Sequence, residues 1–67
     1  MSAHYEVYKV IKTEQADYDD IFLQMGMFKS LQSAKSKCLK LMETVKTNIA
    51  YQINYYENGS LVSEIEV

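Results

Sequence analysis

One segment of this chain, Ser30 to Val45, repeats its apolar residues with the period of an α-helix. These residues fall within an arc of about 100° around the helix axis, as in a helix that packs one face on a core. They are Leu31, Ala34, Cys38, Leu41, Met42 and Val45. Ser30 suits the N-cap, because its hydroxyl can accept a hydrogen bond from a backbone N–H of the first turn. Leu39 lies outside the arc and is expected to be exposed. A helix with one apolar face requires a second layer to cover it.

Four segments rich in β-branched and aromatic residues supply that layer, two before the helix and two after it. They are His4–Lys12, Ile21–Phe28, Asn48–Tyr56 and Ser60–Val67. The order ββαββ predicts an α+β fold, in which a four-stranded antiparallel sheet carries one helix on one face. Alternation along the first strand predicts a buried face made of Tyr5, Val7, Lys9 and Ile11. Along the second strand it predicts Ile21, Leu23, Met25 and Met27 on one face, with Phe22, Gln24, Gly26 and Phe28 on the other.

The turn between the last two strands, within the stretch YYENGSL, follows from the same alternation. A two-residue Asn-Gly loop would pair Glu57 with Ser60 and spread the apolar residues over both faces of the sheet, which burial of one face disfavours. A three-residue loop, a type I turn closed by a glycine bulge, pairs Tyr56 with Ser60 and keeps the apolar residues together. The pairs predicted by this register are Tyr55–Leu61, Ile53–Ser63, Tyr51–Ile65 and Ile49–Val67. Tyr55 is then expected to point into the core, and Tyr56 away from it.

The length of 67 residues predicts a single domain, residues 1–67, with a small core. Such a core supplies about 3–5 kcal/mol, so small domains usually gain stability from a disulfide, a metal or association. Cys38 is the only cysteine and His4 the only histidine, so we expect no internal disulfide, no metal site and no cofactor. Association remains, as a homodimer or as a complex with a permanent partner. The lone thiol and the missing signal peptide and apolar span predict a cytoplasmic protein without membrane contact.

The sheet face without a helix is the first candidate binding surface. It combines aromatic and amide side chains, which are typical of protein-binding patches. The predicted partner-binding residues on it are Tyr8, Phe22, Gln24, Gln52, Asn54 and Tyr56. An ordinary solvated sheet face is the alternative interpretation.

The acidic loop between the first two strands is the second candidate. Asp17, Asp19 and Asp20 could bind a basic groove on a partner protein, in the manner of a phosphate backbone; a solubilising loop is the alternative. A calcium loop is not predicted, because the sharp-turn glycine is missing and Phe28 stands where a bidentate glutamate would be required.

Nucleic-acid binding and catalysis find less support in the sequence. All seven basic residues are lysines, and arginine, which reads phosphates and guanine edges with two hydrogen bonds, is absent. Weak binding to nucleic acid remains an alternative, through Lys29, Lys35, Lys37, Lys40 and Lys46. The two glycines cannot form a glycine-rich phosphate loop, and no nucleophile lies at a telling spacing from an acid or base, so an enzyme is not predicted.

The stretch FKSLQSAKSKCLKLM, Phe28 to Met42, together with the strands around it, resembles a recurrent small ββαββ plan. An aromatic residue, Phe28, closes the second strand; Ser30 caps the helix; and Ala34 packs on the sheet. Uncharacterised small bacterial domains and small phage-encoded inhibitors, including certain anti-CRISPR proteins, are similar in organisation. The resemblance implies a non-catalytic interaction module that inhibits a larger host protein complex by binding to it. A weak nucleic-acid-binding domain and a structural homodimer of unknown role are the alternatives.

Overall fold

One antiparallel sheet and one helix make up the computed structural model, which describes residues 2–13, 19–44 and 48–67. The strands are β1 (Ala3–Ile11), β2 (Ile21–Phe28), β3 (Ile49–Glu57) and β4 (Ser60–Glu66), and the helix α1 (Leu31–Met42) lies between β2 and β3. The sheet order is β2-β1-β3-β4. The predicted ββαββ order and α+β class are confirmed, and the strand ends differ from the predicted ones by a single residue at most.

The helix connects two strands that are not neighbours. β2 and β3 both pair antiparallel with β1, so they run parallel to each other with β1 between them. α1 carries the chain across β1 from one side to the other. As a result β1 and β3 form the middle of the sheet, and β2 and β4 form its two edges.

The core lies between α1 and one face of the sheet. Its buried residues are Val7, Ala34, Cys38, Tyr51 and Ile53. The Ser30 hydroxyl caps α1, accepting a hydrogen bond from the Ser33 backbone N–H at 3.2 Å, as predicted. Leu39 is 62% exposed, also as predicted. Met42, predicted to face the core, is 38% exposed at the end of α1, and Val45 lies outside the described residues. Ala34 and Cys38 are small, which lets the helix approach the sheet closely.

A bulge in β2 changes which of its side chains face the helix. Val7 pairs with Gly26 but Tyr8 pairs with Gln24, so Met25 is an extra residue in β2. The predicted faces of Gly26, Met27 and Phe28 were therefore wrong: Gly26 lies opposite Val7 and Phe28 opposite Tyr5 on the core side, and Met27 is exposed on the other face. Gly26 permits this because its φ is +157°, and a Cβ there would lie 3.1 Å from the Phe28 ring.

A second bulge corrects the predicted hairpin. Glu57 pairs with Ser60 across a two-residue turn, in which Asn58 has a φ of 51° and Gly59 a φ of 83°, as a type I′ turn requires. The predicted three-residue loop and its strand pairs were therefore wrong. Tyr56 pairs with Leu61 and Tyr55 with Ser63, so Val62 is an extra residue in β4. The Asn-Gly sequence thus keeps its two-residue turn, and the bulge inside β4, rather than a longer loop, returns the last apolar residue of β4 to the core face.

The two tyrosines before this turn do point to opposite faces, as predicted. Tyr55 lies on the helix side opposite Tyr5, with ring centroids 4.7 Å apart, but it is only half-buried at the margin of the core. Tyr56 lies on the other face and stacks on His4. Leu61, predicted to join the core, lies beside Tyr56 on that face because the bulge comes after it.

Candidate functional site

The sheet face opposite α1, called the open face below, is organised in rows by the strand pairing. Its two central strands contribute His4–Tyr56, Glu6–Asn54, Tyr8–Gln52 and Val10–Ala50. The β2 side adds Phe22, Gln24 and Met27, and the β4 side adds Leu61, Glu64 and Glu66. The open face therefore has a polar centre, an apolar margin along β2 and an acidic margin along β4.

Hydrogen bonds between side chains two residues apart order the polar centre. The Tyr8 hydroxyl donates to Glu6 Oε1 at 2.6 Å, and His4 Nε2 lies 2.8 Å from Glu6 Oε2. The His4 ring stacks on Tyr56 with ring centroids 5.1 Å apart and planes 7° from parallel. These side chains share a face because alternate residues of a strand point the same way. They are held in place before any partner arrives.

The neighbouring strand repeats this arrangement with amides. Gln52 Nε2 donates to Asn54 Oδ1 at 2.7 Å. Asn54 is only 9% exposed although it lies on the open face, because its neighbours cover it. No buried side-chain nitrogen or oxygen of the described residues is without a hydrogen-bond partner.

The same bonds set the charge of the open face. The Tyr8 hydrogen bond, followed by the bond to His4, lowers the pKa of Glu6 below its usual value and outweighs the opposing effect of burial. The Glu6 bond also raises the pKa of Tyr8, so that this phenol stays protonated as a donor. Glu6 therefore keeps a negative charge at the centre of the open face.

Glu6→Gln is expected to reduce the dependence of stability on acid pH. The folded-state pKa of Glu6 lies below its unfolded-state value of about 4.3, so the carboxylate stabilises the fold above that value. This contribution is lost as the pH falls through the folded-state pKa. The difference in free energy of unfolding between wild type and Glu6→Gln, measured in urea, should therefore be largest at neutral pH and shrink on acidification. Tyr8→Phe removes one of the hydrogen bonds to Glu6 and should reduce this pH-dependent part of the stability as well. If the stability difference between wild type and Glu6→Gln were the same at every pH, the prediction would be wrong.

A shallow depression of 190 Å³ opens at one end of the open face. Val10, Phe22 and Ala50 form its apolar walls, and Gln52, Glu66 and Lys12 stand around it. Lys12 Nζ is already paired with Asp20 Oδ2 at 3.2 Å, whereas Glu66 has no ion pair among the described residues. Apolar walls beside a carboxylate suit the aliphatic stem and cationic head of a lysine or arginine.

The structure places all six predicted residues of the sheet on the open face: Tyr8, Phe22, Gln24, Gln52, Asn54 and Tyr56. Phe22 is 53% exposed, whereas Tyr8, Gln52 and Tyr56 are half-buried. Sequence reasoning missed Glu6 and His4, although the period-two spacing of His4, Glu6 and Tyr8 was visible. It also missed Met27 and Leu61, which reach this face only because of the two bulges.

The predicted acidic loop is less clearly a binding surface. Asp17 lies outside the described residues, and Asp19 is exposed. Asp20 turns back on its own hairpin, where the Thr13 backbone N–H donates to its Oδ1 at 3.3 Å and Lys12 contacts its Oδ2. The bond from Thr13, followed by Lys12, lowers the pKa of Asp20. Asp20 thus links the start of β2 to the end of β1.

Cys38 and His4, the two potential soft metal ligands, are not near each other. Cys38 is fully buried in the core, and burial raises the pKa of its thiol, which disfavours the nucleophilic thiolate. His4 is occupied by Glu6 and Tyr56 on the opposite face. Within the described ranges, no three histidine, cysteine or acidic side chains are grouped as metal ligands would be.

No family model, curated protein or solved structure matches this chain. The resemblance to small phage-encoded inhibitors thus stays a prediction. In the part of the chain that the structure describes, no helix is long and apolar enough to cross a membrane. The geometry and charge of the open face are what bear on function.

Proposed function

We propose that this protein is a non-catalytic interaction module whose open face binds a basic surface on a larger protein. The separation of charge across the sheet carries this proposal. The strand positions of the open face hold Glu6, Glu64 and Glu66, and Lys12, at the end of this face, has its charge paired with Asp20. The described lysines of the helical region, Lys29, Lys35, Lys37 and Lys40, belong to α1 and the segment before it, on the other side of the sheet.

The open face is suited to binding without large ordering costs. Its central polar side chains already hold each other in place through Glu6 and Asn54, so few rotamers need to be fixed on association. Glu64 and Glu66 remain exposed and have no cation among the described residues. They can accept hydrogen bonds from arginine or lysine side chains of a partner.

The depression beside Glu66 supplies a specific anchor point. A lysine or arginine of the partner can lay its stem against Phe22 and Ala50 while its charge meets Glu66. Phe22 adds an exposed aromatic ring, the kind of residue that contributes most to binding energy at interfaces. An acidic margin with an aromatic anchor matches a basic protein surface better than it matches nucleic acid, whose phosphates Glu64 and Glu66 would repel.

Binding to a basic surface would also explain how a protein without catalytic activity inhibits a larger protein. Basic surfaces of larger proteins commonly bind nucleic acid, whose affinity depends on contacts to phosphate. A module that covers such a surface with carboxylates blocks that contact without any chemistry. This is the role that the resemblance to phage-encoded inhibitors implies.

Reversing the charge of the acidic margin should abolish partner binding. Affinity capture from the source cell with the wild-type protein, read by mass spectrometry, identifies the partner, which is then purified for calorimetry. Glu64→Lys/Glu66→Lys is expected to raise the dissociation constant at least about tenfold, because like charges then face each other. Rising salt should weaken wild-type binding in parallel, since it screens the same contacts.

The matched control reverses two charges on the helix side, Lys35→Glu/Lys40→Glu, and should keep the wild-type affinity. Circular dichroism confirms that both double variants stay folded. Unchanged binding by Glu64→Lys/Glu66→Lys would overturn the proposal. Capture that is lost on nuclease treatment and in Lys35→Glu/Lys40→Glu would also overturn it, in favour of a nucleic-acid-binding domain.

A further inference from the structure

The edge strand β2 lacks two of the features that usually keep sheet edges apart, charge and proline, although it carries the bulge at Met25. From Ile21 to Phe28 it contains no charged residue and no proline. Its side chains Ile21, Phe22, Leu23 and Met27 are all exposed. An edge strand also leaves half of its backbone N–H and C=O groups without a strand partner. The other edge differs, because β4 carries Glu64 and Glu66 along its length.

We propose that β2 pairs antiparallel with β2 of a second copy of this chain, across a two-fold axis, to form a continuous eight-stranded sheet. Such an interface is self-complementary, because each contact occurs twice. Charges at the two ends of β2 favour this orientation. Asp19 precedes the strand and Lys29 follows it, so antiparallel pairing places the acidic end of one copy beside the lysine of the other, whereas the Asp20 carboxylate is already bound by Lys12 and the Thr13 N–H.

The bulge at Met25 lets this register match the two faces of the sheet at three of its pairs. Opposing Asp20 to Lys29 sets the remaining pairs, which are Ile21–Phe28, Phe22–Met27, Leu23–Gly26 and Gln24–Met25. The last pair, beside the axis, does not match, because Gln24 lies on the open face and Met25 packs on the core. In a regular strand Phe22 and Met27 would point to opposite faces. Because of the extra residue both lie on the open face, while Ile21 and Phe28 both lie on the helix side. A thioether beside an aromatic ring is a favourable contact on each side of the axis.

The apolar side chains of the β2 edge are uncovered within one copy, with Ile21, Phe22, Leu23 and Met27 between 45% and 60% exposed. The sheet is also long and thin, with extents of 41 × 27 × 14 Å. A second copy beside β2 would cover the apolar margin.

A two-fold axis perpendicular to the sheet has a consequence for the open faces. Both helices lie on one side of the eight-stranded sheet, and both open faces form one surface on the other. The acidic margins along β4 then stand at the two outer edges. The two surfaces share Phe22, which lines the depression and also belongs to the β2 edge, whereas Leu23 belongs to the pairing alone and Glu64 and Glu66 to partner binding alone.

Sedimentation equilibrium from micromolar to millimolar concentration tests the pairing. The wild-type protein should show a reversible dimer. Leu23→Glu should raise the dimer dissociation constant about 100-fold, because each of its two symmetry-related carboxylates loses hydration on pairing. Within one copy this carboxylate lies beside Lys9, its neighbour on β1, so the fold should persist. Leu39→Glu, at an exposed position of α1, is the matched control and should remain dimeric.

A wild-type protein that is monomeric at every concentration overturns the inference, as does a Leu23→Glu variant that dimerises like wild type. Cysteine pairing tests the register even if Leu23→Glu fails to fold. Mixed under mild oxidation, Phe22→Cys and Met27→Cys should form a disulfide-linked heterodimer faster than Phe22→Cys mixed with Leu39→Cys. Equal rates in the two mixtures contradict the proposed register. Loss of dimer with intact partner binding, or the reverse, separates this inference from the proposed function.

Discussion

Ile53→Ala is expected to remove most of the stability of this protein. Ile53 is fully buried at the centre of the sheet, opposite Val7 on β1 and Ile65 on β4. Truncating a buried isoleucine to alanine costs about 2–5 kcal/mol, since it loses apolar burial and leaves a cavity. A domain of this size has about 3–5 kcal/mol in total. Urea unfolding followed by circular dichroism should show a large loss of the folded baseline.

Two further variants locate the effect in the core. Ile53→Val removes one methylene and should cost only about 0.5–1.5 kcal/mol. Leu61→Ala, on the open face where Leu61 is 48% exposed, should cost less than Ile53→Ala by more than half. Equal urea midpoints for Ile53→Ala and Leu61→Ala would contradict the position of the core between α1 and the middle strands.

The β3–β4 turn is expected to respond strongly to alanine at both of its positions. Asn58 and Gly59 adopt left-handed backbone angles, with φ of 51° and 83°. Alanine at Gly59 adds a β-carbon, which costs about 1–2 kcal/mol in this region. Asn58 already carries a β-carbon, so Asn58→Ala loses only the local hydrogen bonding through which an asparagine tolerates this region, and the double variant should lose more than Gly59→Ala alone. No atom lies within 4 Å of a Cβ added at Gly59, so its share comes from the backbone alone. Denaturant unfolding measures both single variants and the double variant.

The single variants distinguish the two turns considered for this sequence. In the observed two-residue turn, Asn58→Ala is costly and Asn58→Gly is tolerated, apart from the bond that Ser2 N–H donates to Asn58 Oδ1 at 3.3 Å. In a three-residue loop Asn58 would be right-handed, and only Gly59→Ala would matter. A harmless Asn58→Ala would therefore contradict the type I′ turn.

The open face shows where the alternation of side chains along a strand predicts the structure and where it does not. This alternation correctly places four residues of the middle strands on the open face, because β1 and β3 pair without a bulge. They are Tyr8, Gln52, Asn54 and Tyr56. Met27 and Leu61 were assigned to the wrong face, because each lies on the far side of a bulge from the residues that set the alternation. A bulge inserts one residue and exchanges the faces beyond it, and local composition gives little notice of where that happens. Gly26 was the one visible hint.

The sequence by itself determined the number, order and type of the elements, the cap at Ser30 and the apolar stripe of α1. These depend on periodicity and on hydrogen bonds between residues close in the chain, which local sequence specifies. Only the tertiary structure decided the strand order, the two bulges and the assembly of Glu6 with His4 and Tyr8 beside Tyr56. Those features depend on how residues far apart in the chain pair and which of them share the buried face. At the β3–β4 hairpin, for example, Asn58-Gly59 favours a two-residue type I′ turn, while Ile53 and Ile65 must lie on the same face. The extra residue Val62 allows both.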